Sequence, residues 1–535
     1  METRALNALL SLNKRDGLLF ALIFVALLAR LSLSAPIWHH GEAREGLVVQ
    51  NIVREHHWIL PFRNGELPSK PPLFHWLASL PALFVGANDF IVRLPSALAA
   101  LVMAFTVFLL GRAMGGRLTA WLAVGALLGM YEFWNSATQA RVDMVFSACI
   151  TVSAAGFFFW HRDRSQIART FCYLACACAV LAKGPVGIAL PVLIIGGFLA
   201  IERDSRALRT FWFWPLADIV LLIDLGWYGA AYAIGGDEFL RLHLWLENFD
   251  RFIGRGSFAS QNTTLSTAVW LANQTFPWNL ALPWSLLKFL RGERGDWTGR
   301  FLHVWWLSIF GFFALAARSR AVYLLPLCPA IALLAARGMS AMISKIEGAY
   351  SFGTLNESSS VSTTARSSRK IVKRLGICIV LVDVVLMLAI PRFWQDSRLI
   401  NARVEFIEKI RSLVRTDGAL FVTPEFDTSE TIVIAYRLGR PIGHQPLACA
   451  RPSDYFLVPL EETDIPGGET RVLASSSFAK WALVAVNVKA PSLRSAPAAP
   501  PDCLAPAAQV IVQRGEWFFS LTTFLIPGTS SSHGR

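Results

Sequence analysis

Charged residues are scarce in this chain of 535 residues, where Asp, Glu, Lys and Arg together make up 16%. An ordinary soluble domain contains about 25%. The hydrophobic residues, 54% of the total, fall into repeated stretches of about 15 to 25, the length that a helix needs to cross a hydrocarbon layer of about 30 Å. This composition excludes a disordered chain and an ordinary soluble enzyme, and it predicts a polytopic membrane protein.

Three further absences narrow the function. The formal net charge is +13, but no basic run is long enough to indicate nucleic acid binding. The eight cysteines mostly lie in apolar stretches and lack the paired spacing of zinc ligands. No Gly-rich loop of the nucleotide-binding type is present. The sequence therefore predicts neither a nucleic acid partner nor a nucleotide-linked substrate.

The apolar stretches predict an α-helical membrane domain over residues 1–391, with about eleven spans read individually and 11–13 transmembrane helices in all. With the N-terminus in the cytoplasm, every predicted inside connection holds at least two Lys or Arg, as the positive-inside rule requires. The predicted spans begin near Leu18, Leu94, Leu118, Asp143, Thr170, Gly184, Phe211, Ser266, Phe301, Ala321 and Ile371.

The C-terminal segment, residues 392–535, differs in composition and follows the last crossing. Short runs of β-type residues alternate with Pro, Gly and charged residues, which predicts a small α/β domain in the periplasm. In that compartment Cys449 and Cys503 either pair or remain free thiols. Residues 351–368 are rich in Ser and Thr and predict a flexible inside linker. The predicted strands are 419–422, 431–436, 454–458, 481–488 and 509–512.

The first outside loop, residues 36–89, is much longer than the usual connection of about 4 to 6 residues. Within it the spacing over 42–54 predicts a helix on the membrane surface, with Glu42 in its first turn, where the helix dipole favours a carboxylate. Lys70 follows in a Pro-rich stretch that holds the backbone extended. A second loop, 235–264, carries Arg241, Arg251 and Arg255 and predicts a lid.

Three more charged residues are predicted on the same outside face: Arg141 and Asp143 at the start of one span, and Lys183 between two others. Ionisable groups at membrane depth are costly unless they pair or line a wet cavity. Cations and carboxylates on one side indicate a site for a phosphate-bearing, membrane-soluble substrate. Each also has a simpler interpretation, since Glu42 with Arg44 can form a solvated helix face, the other cations can be interfacial residues, and Asp143 can support the helix N-terminus.

Five histidines lie in the first loop, and with Glu42 they are candidate ligands of a divalent metal. Their spacing matches no standard zinc pattern, so we predict that no cofactor is required. Those histidines are His39, His40, His56, His57 and His75.

The order of several short motifs over about the first 190 residues resembles that of the protein O-mannosyltransferase-like integral membrane glycosyltransferases, and most closely the branch that modifies lipid A. The remainder is similar in architecture only. Two positions depart from the family pattern: His40 and Gly41 precede Glu42 where an Asp-Glu pair is common, and Ser69 stands where the lipid A branch has an acidic metal ligand. The motifs are Glu42-Ala43-Arg44, Trp58-Ile59-Leu60-Pro61, Asn64-Gly65, Lys70-Pro71-Pro72-Leu73, Arg93-Leu94-Pro95-Ser96, Ala140-Arg141-Val142-Asp143 and Lys183-Gly184-Pro185.

The resemblance implies a GT-C fold and transfer of a hexose or pentose from a polyprenyl-phosphate donor to a lipid, lipopolysaccharide-like, glycan or protein acceptor, at the periplasmic face of the inner membrane. Asp143 or Glu42 is then the catalytic base. The same anionic-lipid site also suits a transporter or flippase of a lipid-linked sugar, or a scaffold without activity. The predicted donor-phosphate ligands are Lys70, Arg44, Arg141 and Lys183.

Overall fold

The computed structural model describes residues 13–212, 215–255, 263–291, 296–353, 397–414, 419–423, 427–445, 454–459, 470–476 and 481–486. The chain forms two compact units. The first contains Met1–Ile37, Ser69–Gly226 and Leu242–Asp396, and the second contains Trp38–Pro68, Trp227–Arg241 and Ser397–Arg535. The predicted boundary between residues 391 and 392 lies outside the described residues and stays a prediction.

Helices make up the described part of the first unit. The α-helix Cys328–Gly353 follows a 3₁₀ segment, Ala321–Leu327. The preceding α-helices are Lys14–Ser32, Leu73–Val85, Asp89–Leu128, Tyr131–Ala137, Val142–Asp163, Gln166–Lys183, Val186–Glu202, Ser205–Trp212, Thr264–Thr275, Leu282–Leu290 and Trp297–Leu315, with a π-helix at Arg241–Asp250, one turn at Arg251–Ile253 and a 3₁₀ turn at Trp278–Ala281. The helix Pro215–Leu240 contributes residues to both units.

Apolar character and length qualify four described helical segments as candidate membrane spans: Asp89–Leu128, Val142–Asp163, Gln166–Lys183 and Ala321–Lys345. Two shorter apolar helices are Leu73–Val85 and Val186–Glu202. Ten of the predicted span starts lie in or within a few residues of a described helix. The start near Ile371 and the linker 351–368 lie wholly or mostly outside the described residues.

The longest helix, Asp89–Leu128, covers two predicted spans and is broken between them. Gly115 and Gly116 leave the helical conformation there, and Gly116 has φ +82, which favours glycine because a side chain would be strained. A Cβ placed on Gly111 would lie 2.7 Å from the Cα of Ala120. The two halves therefore pack side by side as a helical hairpin.

The second unit contains a five-stranded sheet with the order β2-β1-β3-β5-β4. The strands are β1 Leu420–Val422, β2 Gly443–His444, β3 Tyr455–Pro459, β4 Thr470–Ser476 and β5 Trp481–Val486. β1 pairs in parallel with β2 and β3, whereas β5 is antiparallel to β3 and β4. Phe456, Val458, Ala482 and Val484 form a buried core cluster, so the predicted α/β character is confirmed.

One predicted strand of this unit is wrong. Residues 431–436 lie within the helix Thr428–Leu438. The side chain of Asp427 caps its N-terminus by accepting from the backbone N–H of Ser429, and Gly439 ends it in the left-handed conformation. The predicted strands near β1, β3 and β5 are confirmed, while residues 509–512, Cys449 and Cys503 lie outside the described residues.

Candidate active site

A buried ion pair joins two residues that the sequence analysis selected. Asp143 lies in the first turn of Val142–Asp163, and Lys183 is the last residue of Gln166–Lys183. The Nζ atom of Lys183 donates to Oδ1 of Asp143 at 2.5 Å, and both side chains are buried. Helix ends place both groups at the same level because these two helices run antiparallel and pack closely. The structure therefore brings Asp143 and Lys183 together.

Aromatic rings surround the ammonium group of Lys183. Its Nζ atom lies 3.8 Å from the ring centre of Tyr323 and 5.0 Å from that of Phe146. Cation–π contacts of this kind are strongest where the cation has lost its water. The ammonium group of Lys183 is thus enclosed by one carboxylate and two aromatic rings.

A second ion cluster contains Lys70, which the analysis selected, and two residues that it did not select as ligands. Lys70 Nζ donates to Oε2 of Glu247 at 3.1 Å. Arg251 Nη1 donates to the same oxygen at 2.7 Å. The three side chains are largely buried. One carboxylate oxygen thus holds two cations close together, in the geometry that a phosphate oxygen would also satisfy.

Electrostatic interactions connect the two clusters. Asp143 is attracted by Lys183, Arg141 and Lys70, in that order of strength. Tyr323 in turn interacts with Lys183, Arg251 and Lys70. All of these residues belong to the first unit. We call Lys70, Arg141, Lys183 and Arg251 the cationic cluster.

Arg141 differs from the other members of the cationic cluster. Its backbone N–H donates to Oγ of Ser96 at 3.5 Å, but its buried Nε has no hydrogen-bond partner among the described residues. Asp143 and Glu132 both interact with it electrostatically. A buried guanidinium N–H without an acceptor is costly, so this group is suited to receive an oxygen of a ligand.

Glu132 is a carboxylate that the sequence analysis missed. It lies in the short helix Tyr131–Ala137, where it is buried. Oγ of Ser136 donates to its Oε1 at 2.7 Å, and Nδ2 of Asn135 donates at 3.3 Å. Burial raises the pKa of Glu132, and the hydrogen bonds and Arg141 oppose that change only in part. Glu132 belongs to no standard motif. Its raised pKa results from burial, which depends on how its helix packs.

Glu42 and Arg44 belong to the second unit, in the helix His40–Glu55. The predicted helix at 42–54 is confirmed, with Glu42 buried in its first turn and Val48, Val49 and Ile52 on the buried side. Arg44 donates from Nε and Nη2 to Oε1 of Glu45, at 3.0 and 2.7 Å. The proposed meeting of Glu42 and Arg44 with Asp143 stays a prediction.

The predicted lid over residues 235–264 is helical along much of its described part. Arg251 follows the π-helix Arg241–Asp250, which also carries Glu247, and the pair is spaced i, i+4. π-Helical turns occur often at functional sites. The i, i+4 spacing of Glu247 and Arg251 is the sequence signal for their contact. It was given no weight because the segment was predicted to be a loop. Lid closure stays a prediction.

A divalent metal has no evident ligand set in the described ranges, where no three His, Cys, Asp or Glu side chains come within reach of one ion. His39 caps its own helix by accepting from the N–H of Gly41, and His57 contacts the side-chain oxygen of Asn51. Ser69 supplies a hydroxyl rather than a carboxylate beside Lys70. The described residues therefore do not fit the metal site of the lipid A branch.

The chain is a predominantly helical protein with four candidate membrane spans among its described residues. Residues 69–227 match the family described as dolichyl-phosphate-mannose-protein mannosyltransferase. The predicted resemblance is confirmed. In structure the chain is similar to ArnT from Cupriavidus metallidurans bound to undecaprenyl phosphate, with a TM-score of 0.70 and 17% identity over 88% of this chain and 98% of that one. This likeness confirms the predicted fold.

Two curated relatives share the name undecaprenyl phosphate-alpha-4-amino-4-deoxy-L-arabinose arabinosyl transferase. The protein from Shewanella sediminis is 28% identical over 313 residues, which cover 57% of this chain and 56% of the relative. The protein from Pseudomonas paraeruginosa is 28% identical over 331 residues, covering 60% and 59%. The chain thus spans little more than half the length of the curated relatives that it matches.

Proposed function

We propose that this protein is an integral membrane glycosyltransferase that moves a sugar from a polyprenyl-phosphate donor to a hydroxyl of an acceptor. The cationic cluster carries the proposal, because four cations converge beside a buried carboxylate within a helical membrane unit. Such a cluster suits an anionic lipid headgroup. The names of the curated relatives, which specify an undecaprenyl-phosphate-linked sugar, support this donor class.

Lys70 and Arg251 are the proposed ligands of the donor phosphate. In the structure both donate to one oxygen of Glu247. An incoming phosphate oxygen replaces that carboxylate oxygen as the shared acceptor, so the two cations need little rearrangement. Arg141 supplies a further donor through its unpartnered Nε. Lys183 and Arg44 are the remaining phosphate ligands that the sequence predicts.

The reaction needs a base but no proton donor at the leaving group. The acceptor hydroxyl oxygen forms a bond to the anomeric carbon, while the bond from that carbon to the phosphate oxygen breaks. The lipid phosphate leaves as a stable anion that the cations neutralise. The hydroxyl proton passes to a carboxylate, for which we propose Asp143, with Glu42 as the second candidate.

The acceptor and the sidedness are part of the same proposal. By analogy with the relatives' names, the sugar is a pentose of the aminoarabinose type. The motif resemblance implies that the acceptor is lipid A or a similar glycolipid. The protein then lies in the inner membrane, with the cationic cluster and the C-terminal segment on the periplasmic side. No cofactor takes part in this scheme.

The test is transfer of undecaprenyl-phosphate-linked aminoarabinose to lipid A in membranes, measured by the mass of the product. We expect Asp143→Asn to lower the rate by at least about 10²-fold, the smaller limit for a general base. We expect Lys70→Ala to lower it by about 10²-fold, as for the loss of one group that stabilises developing charge. Asp163→Asn is the matched control, since Asp163 ends the same helix, is exposed and pairs with the neighbouring Arg162. Normal transfer by both site variants would reject the proposal.

A transporter of lipid-linked sugar uses the same site without bond breaking. Radiolabelled sugar joined covalently to the acceptor identifies the transferase. Label that crosses the bilayer but remains on the donor lipid would favour the transporter.

A further inference from the structure

A cavity of about 690 Å³ lies in the first unit, away from the cationic cluster. Its walls come from three parts of the chain: the 3₁₀ turn and helix between Pro277 and Phe289, the start of Trp297–Leu315, and the middle of Cys328–Gly353. The volume lies in the range of pockets for small ligands. No part of the glycosyl-transfer scheme uses it.

Helix geometry places the cavity at the opposite end of the helical unit. The helix Cys328–Gly353 begins next to the segment that carries Tyr323, and Lys345 on the cavity wall lies about 25 Å further along its axis. In Val142–Asp163, Asp143 occupies the first turn, whereas Phe158 stacks on Trp297 at 5.0 Å. The cavity and the cationic cluster therefore lie near opposite surfaces of a membrane-spanning bundle.

The cavity carries more positive than negative charge. Arg337 donates to Asp296 at 2.8 Å, and Arg300 pairs with Glu202 through two hydrogen bonds of 2.5 and 3.0 Å. These arginines are neutralised by the carboxylates that they contact. Lys288 and Lys345 also line the cavity, are exposed, and form no ion pair with a carboxylate among the described residues.

Apart from Ser285 and His303, most of the remaining lining is apolar, and part of it is open to the surroundings. Leu280, Trp284 and Met342 expose 70%, 67% and 64% of their surface. In a membrane protein, such side chains contact lipid without cost. The Nε1 of Trp278 is buried and has no acceptor in the described part of the chain. The cavity thus offers two ammonium groups, a free donor and a hydrocarbon-lined opening.

We propose that this cavity binds an anionic glycerophospholipid of the bilayer, with its phosphate between Lys288 and Lys345 and an acyl chain along Trp284 and Met342. Basic pockets between membrane helices recognise anionic headgroups in this way. A free anion would satisfy the lysines but not the exposed apolar wall. The site is separate from the proposed transfer reaction and does not depend on it.

The test uses the full-length protein in detergent, with bound lipid counted by native mass spectrometry. The probes are phosphatidylglycerol and phosphatidylcholine with identical acyl chains. We expect phosphatidylglycerol to bind in preference. The double variant Lys288→Gln/Lys345→Gln should lower the affinity for phosphatidylglycerol by about 25-fold, because each basic residue contributes about fivefold. The matched control is Arg206→Gln/Arg209→Gln, which removes two exposed cations outside the cavity.

A second variant fills the cavity without changing charge. A Cβ on Gly338, which lines the cavity, would meet no atom within 4 Å, so Gly338→Leu can enter the space without a backbone clash. We expect it to reduce phosphatidylglycerol binding at least fivefold. Equal binding of the two lipids, or unchanged binding by the double variant and Gly338→Leu, would overturn the proposal. Displacement of the lipid by inorganic phosphate alone would overturn it in favour of a free anion.

Discussion

Replacing the partners of the Asp143–Lys183 ion pair should have unequal effects on stability. The pair is buried and its atoms lie 2.5 Å apart. Removal of one partner from a buried ion pair costs about 3–5 kcal/mol, because the other charge remains in a poorly solvated place. Asp143→Asn leaves Lys183 near Lys70, Arg141 and Arg251 with one carboxylate fewer, so we expect the full range for this variant.

Lys183→Gln should cost less than Asp143→Asn. The carboxylate of Asp143 keeps the attraction of Arg141 and Lys70 after Lys183 is removed. The lost contact with the Tyr323 ring adds a smaller amount, about 0.5–2 kcal/mol. The double variant Asp143→Asn/Lys183→Gln should recover much of the loss, because the two amides can hydrogen-bond to each other and no charge of this pair remains buried.

Unfolding of the purified protein by sodium dodecyl sulfate in mixed micelles, followed by tryptophan fluorescence, measures these differences. A double-mutant cycle gives the coupling free energy, which we expect to be about 2–3 kcal/mol. Additive single effects would refute the proposed coupling. A larger loss for Lys183→Gln than for Asp143→Asn would refute the claim that the other cations support Asp143.

Two further changes test the packing and protonation of buried groups. Burial raises the pKa of Glu132 in the folded protein. The contribution of this carboxyl group to the free energy of unfolding is therefore fully present below its ordinary pKa of about 4.3, and it is lost as the pH rises through the raised pKa. Glu132→Gln should therefore match the wild type in thermal midpoint at acid pH and exceed it increasingly at higher pH; a constant difference would contradict this. Gly46→Ala should destabilise the second unit by about 1–3 kcal/mol, since its Cβ would lie 2.4 Å from the Tyr436 ring. Adding Tyr436→Leu should relieve that loss in urea unfolding, and an unrelieved loss would count against the clash.

The membrane helices were largely predictable from sequence, because long apolar runs have few alternative structures in a bilayer. The fold of the second unit was less predictable from the sequence. Residues 431–436 are apolar and β-branched in part, yet Asp427 and Gly439 at the helix ends, together with tertiary packing, outweigh local strand propensity. Periodicity over a short apolar run cannot separate these outcomes.

The candidate site was predictable only where a motif marked it. Lys70, Asp143 and Lys183 stand in recognisable sequences, and two of them meet directly. Glu247 was missed because its i, i+4 spacing to Arg251 carries little weight in a segment predicted to be a loop, and only the fold brings it to Lys70, 177 positions away. Glu132 was missed because its unusual protonation depends on burial, which sequence alone does not report.

The broken helix at Gly115 and Gly116 fixes a relation that does not depend on which way the protein is inserted. Since its halves fold back on each other, the chain turns back towards the surface from which it started. The hydrogen bond between Ser96 and the backbone of Arg141 agrees with this return. Reversing the whole protein in the bilayer would therefore move Asp143 and the N-terminal end of this hairpin together, and no insertion topology could separate them.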